Sequence, residues 1–296
     1  MTPRLEHLGE HVYAYIQPPG GWCVNNAGVI AGTMLIDTAA TETRALRLRT
    51  AAETLDAGPI RTIVNTHFHG DHVFGNGLMG DGVTIVAHEL TRHDIAATGL
   101  GLTRLWPAVV WGRVAPTLPT VTFTDRLTLR ERGLTVELIH MGAAHTTGDV
   151  VAWLPDERIL FAGDVAFSGG TPYVLMGSVA GSLRAIDRLR ALEPRVVVCG
   201  HGPVTGPDVF DATEAYLSWL WRLAARGLAL DQDPLSTALD ADLGAFGALQ
   251  DSERLLGNLH RAYAEHEGVA PGEPLDVRAV HRDMVAYHGR PLISLA

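Results

Sequence analysis

Along the first two-thirds of the chain, short apolar runs alternate with polar, turn-rich stretches and with amphipathic blocks of helical period. His11-Val-Tyr-Ala-Tyr-Ile16 alternates as a half-buried strand does, Asn26–Ala31 is mostly apolar, and Thr33–Asp37 forms a third short strand signal. A helix start follows at Thr38 or Thr41, and the helix predicted from about Thr41 to Leu55 stops at Gly58-Pro59. Strands are predicted at Arg61–Asn65 and Val83–Ala87, with a helix beginning near His88. After a break, strands return at Thr120–Phe123, Arg126–Arg130, Leu134–Ile139, Val150–Leu154 and Arg158–Ala162. A helix near Ser182–Leu192 precedes a last strand, Arg195–Cys199, and from Pro207 onward the pattern is wholly helical. Each half carries strands and then a helix before an apolar strand that ends at a His. The pattern predicts an α/β core over residues 1–206 and a helical C-terminal extension, 207–296, packed on it.

The break, Gly99–Pro119, is apolar and punctuated by prolines, with Trp106 and Trp111 inside it. Such a run is either a buried excursion or a flap over a pocket; core packing is the usual outcome for Trp and Leu.

The stretch Thr66-His-Phe-His-Gly-Asp-His72 packs His67, His69, Asp71 and His72 directly behind an apolar strand. A helix would spread these side chains around its axis, and a strand would send some to the opposite face. A loop at a strand end can converge them on one point, and imidazole with carboxylate suits a divalent ion, zinc first, with iron or manganese compatible. Three more sites repeat the grammar of apolar strand, small residues, metal-type side chain: His145 in His-Thr-Thr-Gly, Asp164 after Gly163, and His201 in Gly-His-Gly. One tetrahedral zinc takes three protein ligands and a water, so five His and two Asp suit two ions.

Charge and cysteine content narrow the partners. The 296 residues carry a net charge of −10, without a basic tail, which argues against nucleic acid. Arg44, Arg47 and Arg49, and Arg184, Arg188 and Arg190, make two local basic faces, read by default as solvated helix surface. No apolar run approaches the roughly twenty residues of a membrane span. The first ten residues lack a secretory signal, and the only cysteines are Cys23 and Cys199, so a reducing cytoplasm is expected. Cys199, in an apolar run, reads as a buried small hydrophobe.

The ordered set H-x-H-x-D-H, H-T-x-G, G-D and G-H-G, over roughly residues 10–205, resembles the metallo-β-lactamase superfamily. The resemblance implies a four-layer αβ/βα sandwich with a two-metal centre along one edge. His67, His69 and His145 would hold one ion, Asp71, His72 and His201 the other, and Asp164 would bridge them. Asp71 would also orient the activated water as a catalytic group. Asp37, in L-I-D-T-A, matches an early Asp-Thr-Gly element of the family except that Ala39 replaces the glycine, and would support the ligands.

The loop Gly169–Ser178, with Tyr173, is expected to border the metals and, with Trp106 and Trp111, to wall a flat apolar pocket. With Gly20-Gly-Trp-Cys-Val-Asn-Asn26 added, the chain resembles the actinorhodin-type, second-ring polyketide cyclases of that superfamily, which also act as thioesterases. That likeness implies a polyketide carried on an acyl carrier protein, closed by aldol addition and dehydration, then released by hydrolysis. A generic two-metal hydrolase of a small thioester or lactone is the alternative. An iron oxygenase of the persulfide-dioxygenase kind is a third reading, and a binding protein with a vestigial site a fourth, against which the intact ligand set argues. The C-terminal helices would cap the pocket or form a dimer contact, and a homo-oligomer is compatible with both.

Overall fold

The structure is a computed structural model that describes residues 2–296. Its first half builds strands β1 (Arg4–Gly9), β2 (Val12–Ile16), β3 (Ala27–Ile30) and β4 (Met34–Ile36), then helix α1 (Glu42–Glu53) and β5 (Thr62–Val64). A single helical turn, α2 (Gly70–Val73), leads to β6 (Thr84–His88), α3 (Glu89–Thr98) and β7 (Val121–Phe123). The second half adds β8 (Arg126–Glu131), β9 (Leu134–His140), β10 (Val150–Leu154), β11 (Ile159–Gly163), α4 (Val179–Arg190) and β12 (Val196–Cys199). The chain ends with α5 (Asp208–Ala229), α6 (Pro234–Leu239), α7 (Arg254–His266) and α8 (Val277–His288).

The strands form a seven-stranded sheet in the order β1 to β7 and a five-stranded sheet in the order β12-β11-β10-β9-β8. Pairing in the first sheet is antiparallel up to β4 and parallel from β4 to β7. Apolar side chains from the facing sides, among them Ile30, Val64, Leu138, Leu154 and Phe161, meet in one buried layer. Leu35 and Ile63 on the other side of the first sheet pack under Ala45, Leu48 and Ala52 of α1. Leu160 and Val197 of the second sheet do the same under Ala185, Ile186 and Leu189 of α4. Helix, sheet, sheet and helix make the four layers expected from the resemblance. Because β4, β5, β11 and β12 end on the same edge, the loops after them open toward a shared point.

Three local expectations are corrected. The Thr66–His72 stretch is not loop throughout: His69 caps the single turn α2, which carries Asp71 and His72. One turn is too short to carry them around an axis, so convergence survives. Helix α4 begins at Val179, not near Ser182, because the Ser178 hydroxyl accepts from Gly181 N at 2.9 Å and so caps small residues that read as loop. Of the two helix starts expected, Thr41 is the one that caps α1. Beyond Pro207 the chain is not wholly helical; residues 240–253 and 267–276 lie between α-helices as turns and irregular backbone, apart from one short 3-10 helix at Gly244–Ala248.

Helix α7 holds the loop after β11 residue by residue. Arg254, Asn258, Arg261 and Glu265, spaced three and four apart, share one face of that helix and meet that loop's backbone. Arg254 Nη1 donates to Thr171 O at 3.0 Å, and Asn258 donates to Pro172 O at 2.7 Å while accepting from Val174 N at 2.9 Å. Arg261 donates to Leu175 O through Nε at 2.9 Å and Nη2 at 2.8 Å, and Glu265 accepts from Val179 N at 2.8 Å. Arg261 is fully buried, and burial pushes its pKa down, offset in part by Glu265 and Glu273. Arg261→Ala is expected to destabilise by about 3 kcal/mol in denaturant unfolding, since it leaves a cavity and a buried carbonyl without its donors.

Candidate metal centre

Strand ends deliver the seven ligand-type side chains to one point. His67 and His69 follow β5, and Asp71 and His72 follow on α2. His145 stands in the turn between β9 and β10, Asp164 directly after β11, and His201 two residues after β12. Potential ligand atoms fall into three close groups: His67, His69 and His145; His67, His72 and Asp164; Asp71, His72 and His201. Within each, the atoms lie within 4.8 Å of one another. All seven sequence-derived ligand positions therefore come together.

Each imidazole is tied from outside through one nitrogen, so the other points inward. His67 Nδ1 lies 3.0 Å from Thr66 Oγ1, and His72 Nδ1 lies 2.8 Å from Asp37 Oδ2. His145 Nδ1 donates to Tyr173 O, and His201 Nδ1 lies 3.0 Å from Gly20 O. For His69 the outer atom is Nε2, 3.2 Å from Met176 Sδ. The inward atoms are left in need of a partner: His67 Nε2, His72 Nε2 and Asp164 Oδ1 are buried without any hydrogen bond. His69 Nδ1 and His145 Nε2 face each other at 2.8 Å. With protons on the outer nitrogens, both present lone pairs, which a cation between or beside them relieves.

The remaining spacings fit the same reading. His72 Nε2 is 3.4 Å from Asp164 Oδ1, and His145 Nε2 and His201 Nε2 are 3.5 Å and 3.2 Å from Asp164 Oδ2. His201 Nε2 is 3.4 Å from Asp71 Oδ2. Mostly longer than good hydrogen bonds, these cluster near the edge of a tetrahedron drawn around an ion with ligand bonds of about 2.1 Å, roughly 3.4 Å. Asp164 contacts both His145 and His201, as a carboxylate between two ions would. Burial and His72 hold the His67 pKa well below its ordinary value, and burial with His145 does so for His69, so both offer neutral imidazole. Burial pushes the Asp164 carboxyl up, but His201, His72 and His145 outweigh it and hold it well below the carboxylate range. The donor set fits two divalent cations.

Asp37 supports the group as expected. It sits in left-handed backbone at φ 61°, accepts from Thr66 N at 2.8 Å and Thr66 Oγ1 at 2.7 Å, and faces His72. Thr66 in turn orients His67, so one carboxylate aligns two ligands. Asp37→Ala is expected to weaken metal affinity about ten- to a hundredfold, read by competition with a chelating dye. Gly163, at φ +52°, lets β11 pass Thr66; an added Cβ would stand 2.9 Å from the Thr66 side chain. Cys199 takes no part. It is 1 % exposed, and burial pushes its thiol pKa up, as befits a small hydrophobe.

The centre opens into a narrow cleft of about 60 Å³. His69, Asp71, His145, Asp164 and His201 form one end, and Trp106, Trp111 and Tyr173, expected from the sequence, all line it. The 99–119 segment thus serves both purposes weighed for it: Trp106 packs in the core and also walls the cleft. Trp22, Phe167, Met176 and Arg254 line it as well and were not singled out as pocket residues. Trp22 meets Trp106 at 5.4 Å and Tyr173 at 5.2 Å between ring centroids. Arg254 is buried with its guanidinium 4.3 Å from the Trp22 ring, and it pairs with Asp251 at 3.0 Å. The overlooked signal was the row of long polar residues at helical spacing along α7.

A family profile described as the metallo-beta-lactamase superfamily matches residues 20–201. A type 2 metallo-beta-lactamase of Bacteroides fragilis is 27% identical over 229 residues, 71% of this chain and 83% of that protein. A hydroxyacylglutathione hydrolase of Methylococcus capsulatus is 30% identical over 154 residues, 50% of this chain and 52% of that protein, so the match spans about half its length. Among solved structures, a metallo-beta-lactamase from Pontibacter korlensis aligns with a TM-score of 0.60 at 23% identity, covering 73% of this chain and 99% of that one. The last is a likeness of fold.

Proposed function

Since this chain belongs to the metallo-beta-lactamase superfamily, we propose that it is a two-metal hydrolase of an apolar thioester or lactone. One observation carries the reading: five imidazoles, each anchored by an outer partner, leave their inner nitrogens and two carboxylates at the end of an aromatic cleft. His67, His69 and His145 would hold one ion and Asp71, His72 and His201 the other, with Asp164 shared. Two such ions, when bound, polarise an acyl carbonyl and lower the pKa of a shared water toward neutrality.

The protein's own groups do the rest. Asp71 has 13% side-chain exposure against 4% for Asp164, so it is the carboxylate open to the cleft. It orients the attacking water and takes its proton for delivery to the leaving group. Trp22, Trp106, Phe167 and Tyr173 hold the acyl group and exclude bulk water. Apart from imidazoles, Arg254 is the one basic side chain lining the cleft among the described residues, and Asp251 already neutralises it. That disfavours an anionic peptide thioester and favours a neutral, greasy acyl group. Both cysteines are free and buried, in keeping with a cytoplasmic location, and no helix among the described residues is long and apolar enough to cross a membrane.

The polyketide cyclase/thioesterase reading has one specific support, the cluster of Trp22, Trp106 and Tyr173, tilted and edge-to-face to one another, whose aromatic surface along the cleft suits fused aromatic rings. Its acyl carrier protein would need a basic docking face. Arg190 is taken by Asp211 and Glu214, which leaves less positive charge on that helix than the sequence implies, whereas Arg44 meets only the neutral Gln17 side chain and the Leu295 carbonyl and keeps its charge.

Metal analysis after zinc loading, with decanoyl and naphthoyl thioesters and a lactone as substrates, tests both readings. About two ions per chain and thioester or lactone cleavage abolished by a chelator are expected. A protein that holds both ions yet cleaves none of these compounds would refute the hydrolase. Ring closure with loss of water on a carrier-bound polyketide mimic, followed by mass spectrometry, would favour the cyclase over simple release.

A further inference from the structure

Behind one wall of the cleft lies a second cavity, between the 105–110 stretch, α8 and the C-terminal tail. It measures about 370 Å³. Leu105, Trp106 and His281 line both spaces, so the metal-facing cleft and the outer chamber adjoin along these three side chains, which form the partition between them. The outer chamber is otherwise mostly apolar, with Val109, Pro291 and Leu292 among its walls. Two polar atoms of the partition are left over: Trp106 Nε1 and His281 Nε2 are buried without hydrogen-bond partners. The two rings meet edge to face, 6.0 Å apart at 85°. Trp106 is itself only 8% exposed, so water does not reach its indole freely. Burial lowers the His281 pKa and keeps the ring neutral, with one donor and one acceptor nitrogen. Buried polar groups left without a partner in the protein call for one from a ligand.

We infer that this partition selects the substrate: the acyl chain runs from the metal centre past Trp106 and His281 into the outer chamber, and it carries a carbonyl or hydroxyl oxygen that meets Trp106 Nε1 or His281 Nε2. The inference rests on the hydrolase reading and narrows it to extended, oxygen-bearing acyl groups. A plain alkyl chain would fill the apolar volume but leave both polar atoms unpaired. A short acyl group would stop before reaching them.

The zinc-loaded full chain is to be titrated by calorimetry with dodecanoic acid and with its monohydroxy and mono-oxo derivatives, the oxygen placed at successive carbons. The matching thioesters are assayed in parallel. At least one derivative is expected to bind about tenfold more tightly than dodecanoic acid, the scale of one added hydrogen bond in a dry site. In the double variant Trp106→Phe with His281→Leu, that ratio is expected to fall to about one. The ratio within each protein cancels any general loss of affinity, and circular dichroism checks that the variant is folded. Equal affinity for all the acids, no binding of any, or a ratio kept by the double variant would overturn the inference. The predicted ratio without thioester cleavage would instead sink the hydrolase and leave the partition's selectivity standing. Cleavage without the ratio would do the reverse.

Discussion

Asp164→Ala is expected to lower activity on any ester the unaltered protein cleaves by roughly a thousandfold or more, the scale on which a principal electrostatic group is lost. Its carboxylate stands 3.4 Å from His72 Nε2, 3.5 Å from His145 Nε2 and 3.2 Å from His201 Nε2, so it touches both ligand groups at once. No neighbouring carboxylate can replace it, since Asp71 reaches only the His72 and His201 side. Removing Asp164 also leaves buried imidazoles facing one another without their common anion. The variant should therefore bind fewer than two ions per chain in metal analysis. His67→Ala, which removes a ligand from the other end, is expected to give the same loss. Full activity in either variant would mean that the reaction does not use this centre.

Gly200→Ala, one methyl group, is expected to cost about a hundredfold in activity through misplacement of ligands by an ångström or so. An added Cβ would lie 1.9 Å from Asp164 Oδ1 and 2.9 Å from His72 Cε1. The backbone cannot retreat easily: Gly200 N donates to Gly163 O at 2.7 Å, and Gly200 O accepts from Asn26 N at 2.6 Å. Asp164 or His72 must then move off the metal position. Gly206→Ala is the matched control, with open space around its added Cβ. It should leave metal content and activity close to those of the unaltered protein. A Gly200→Ala protein with both ions and ordinary rates would refute the proposed crowding.

The two variants mark how far the chain could be read in one dimension. His67, His69, Asp71, His72, His145, Asp164 and His201 were each legible because each follows a short apolar strand, and strand ends are encoded locally. Asp37 was legible through its likeness to the family's early Asp-Thr-Gly element, whereas the single turn at Gly70–Val73 was not legible, because one helical turn leaves no periodic trace. The burial of Arg254 and Arg261 was not legible. Charged residues on a helix are usually solvated, and only the carbonyls of residues 171 and 175 reveal why these two are buried.

The order of residues alone determined the ligand chemistry and its division among four strand ends, and the four-layer arrangement followed from the family resemblance that those motifs carry. Tertiary structure alone decided which nitrogen of each imidazole faces the centre, because that depends on outer partners such as Met176 and Gly20, far away in the chain. It also decided the shape of the cleft, where Trp22, Trp106, Arg254 and His281 meet. Strand ends are set by hydrophobic contrast between neighbours in sequence, but a cleft wall is set by packing between segments that no local pattern links.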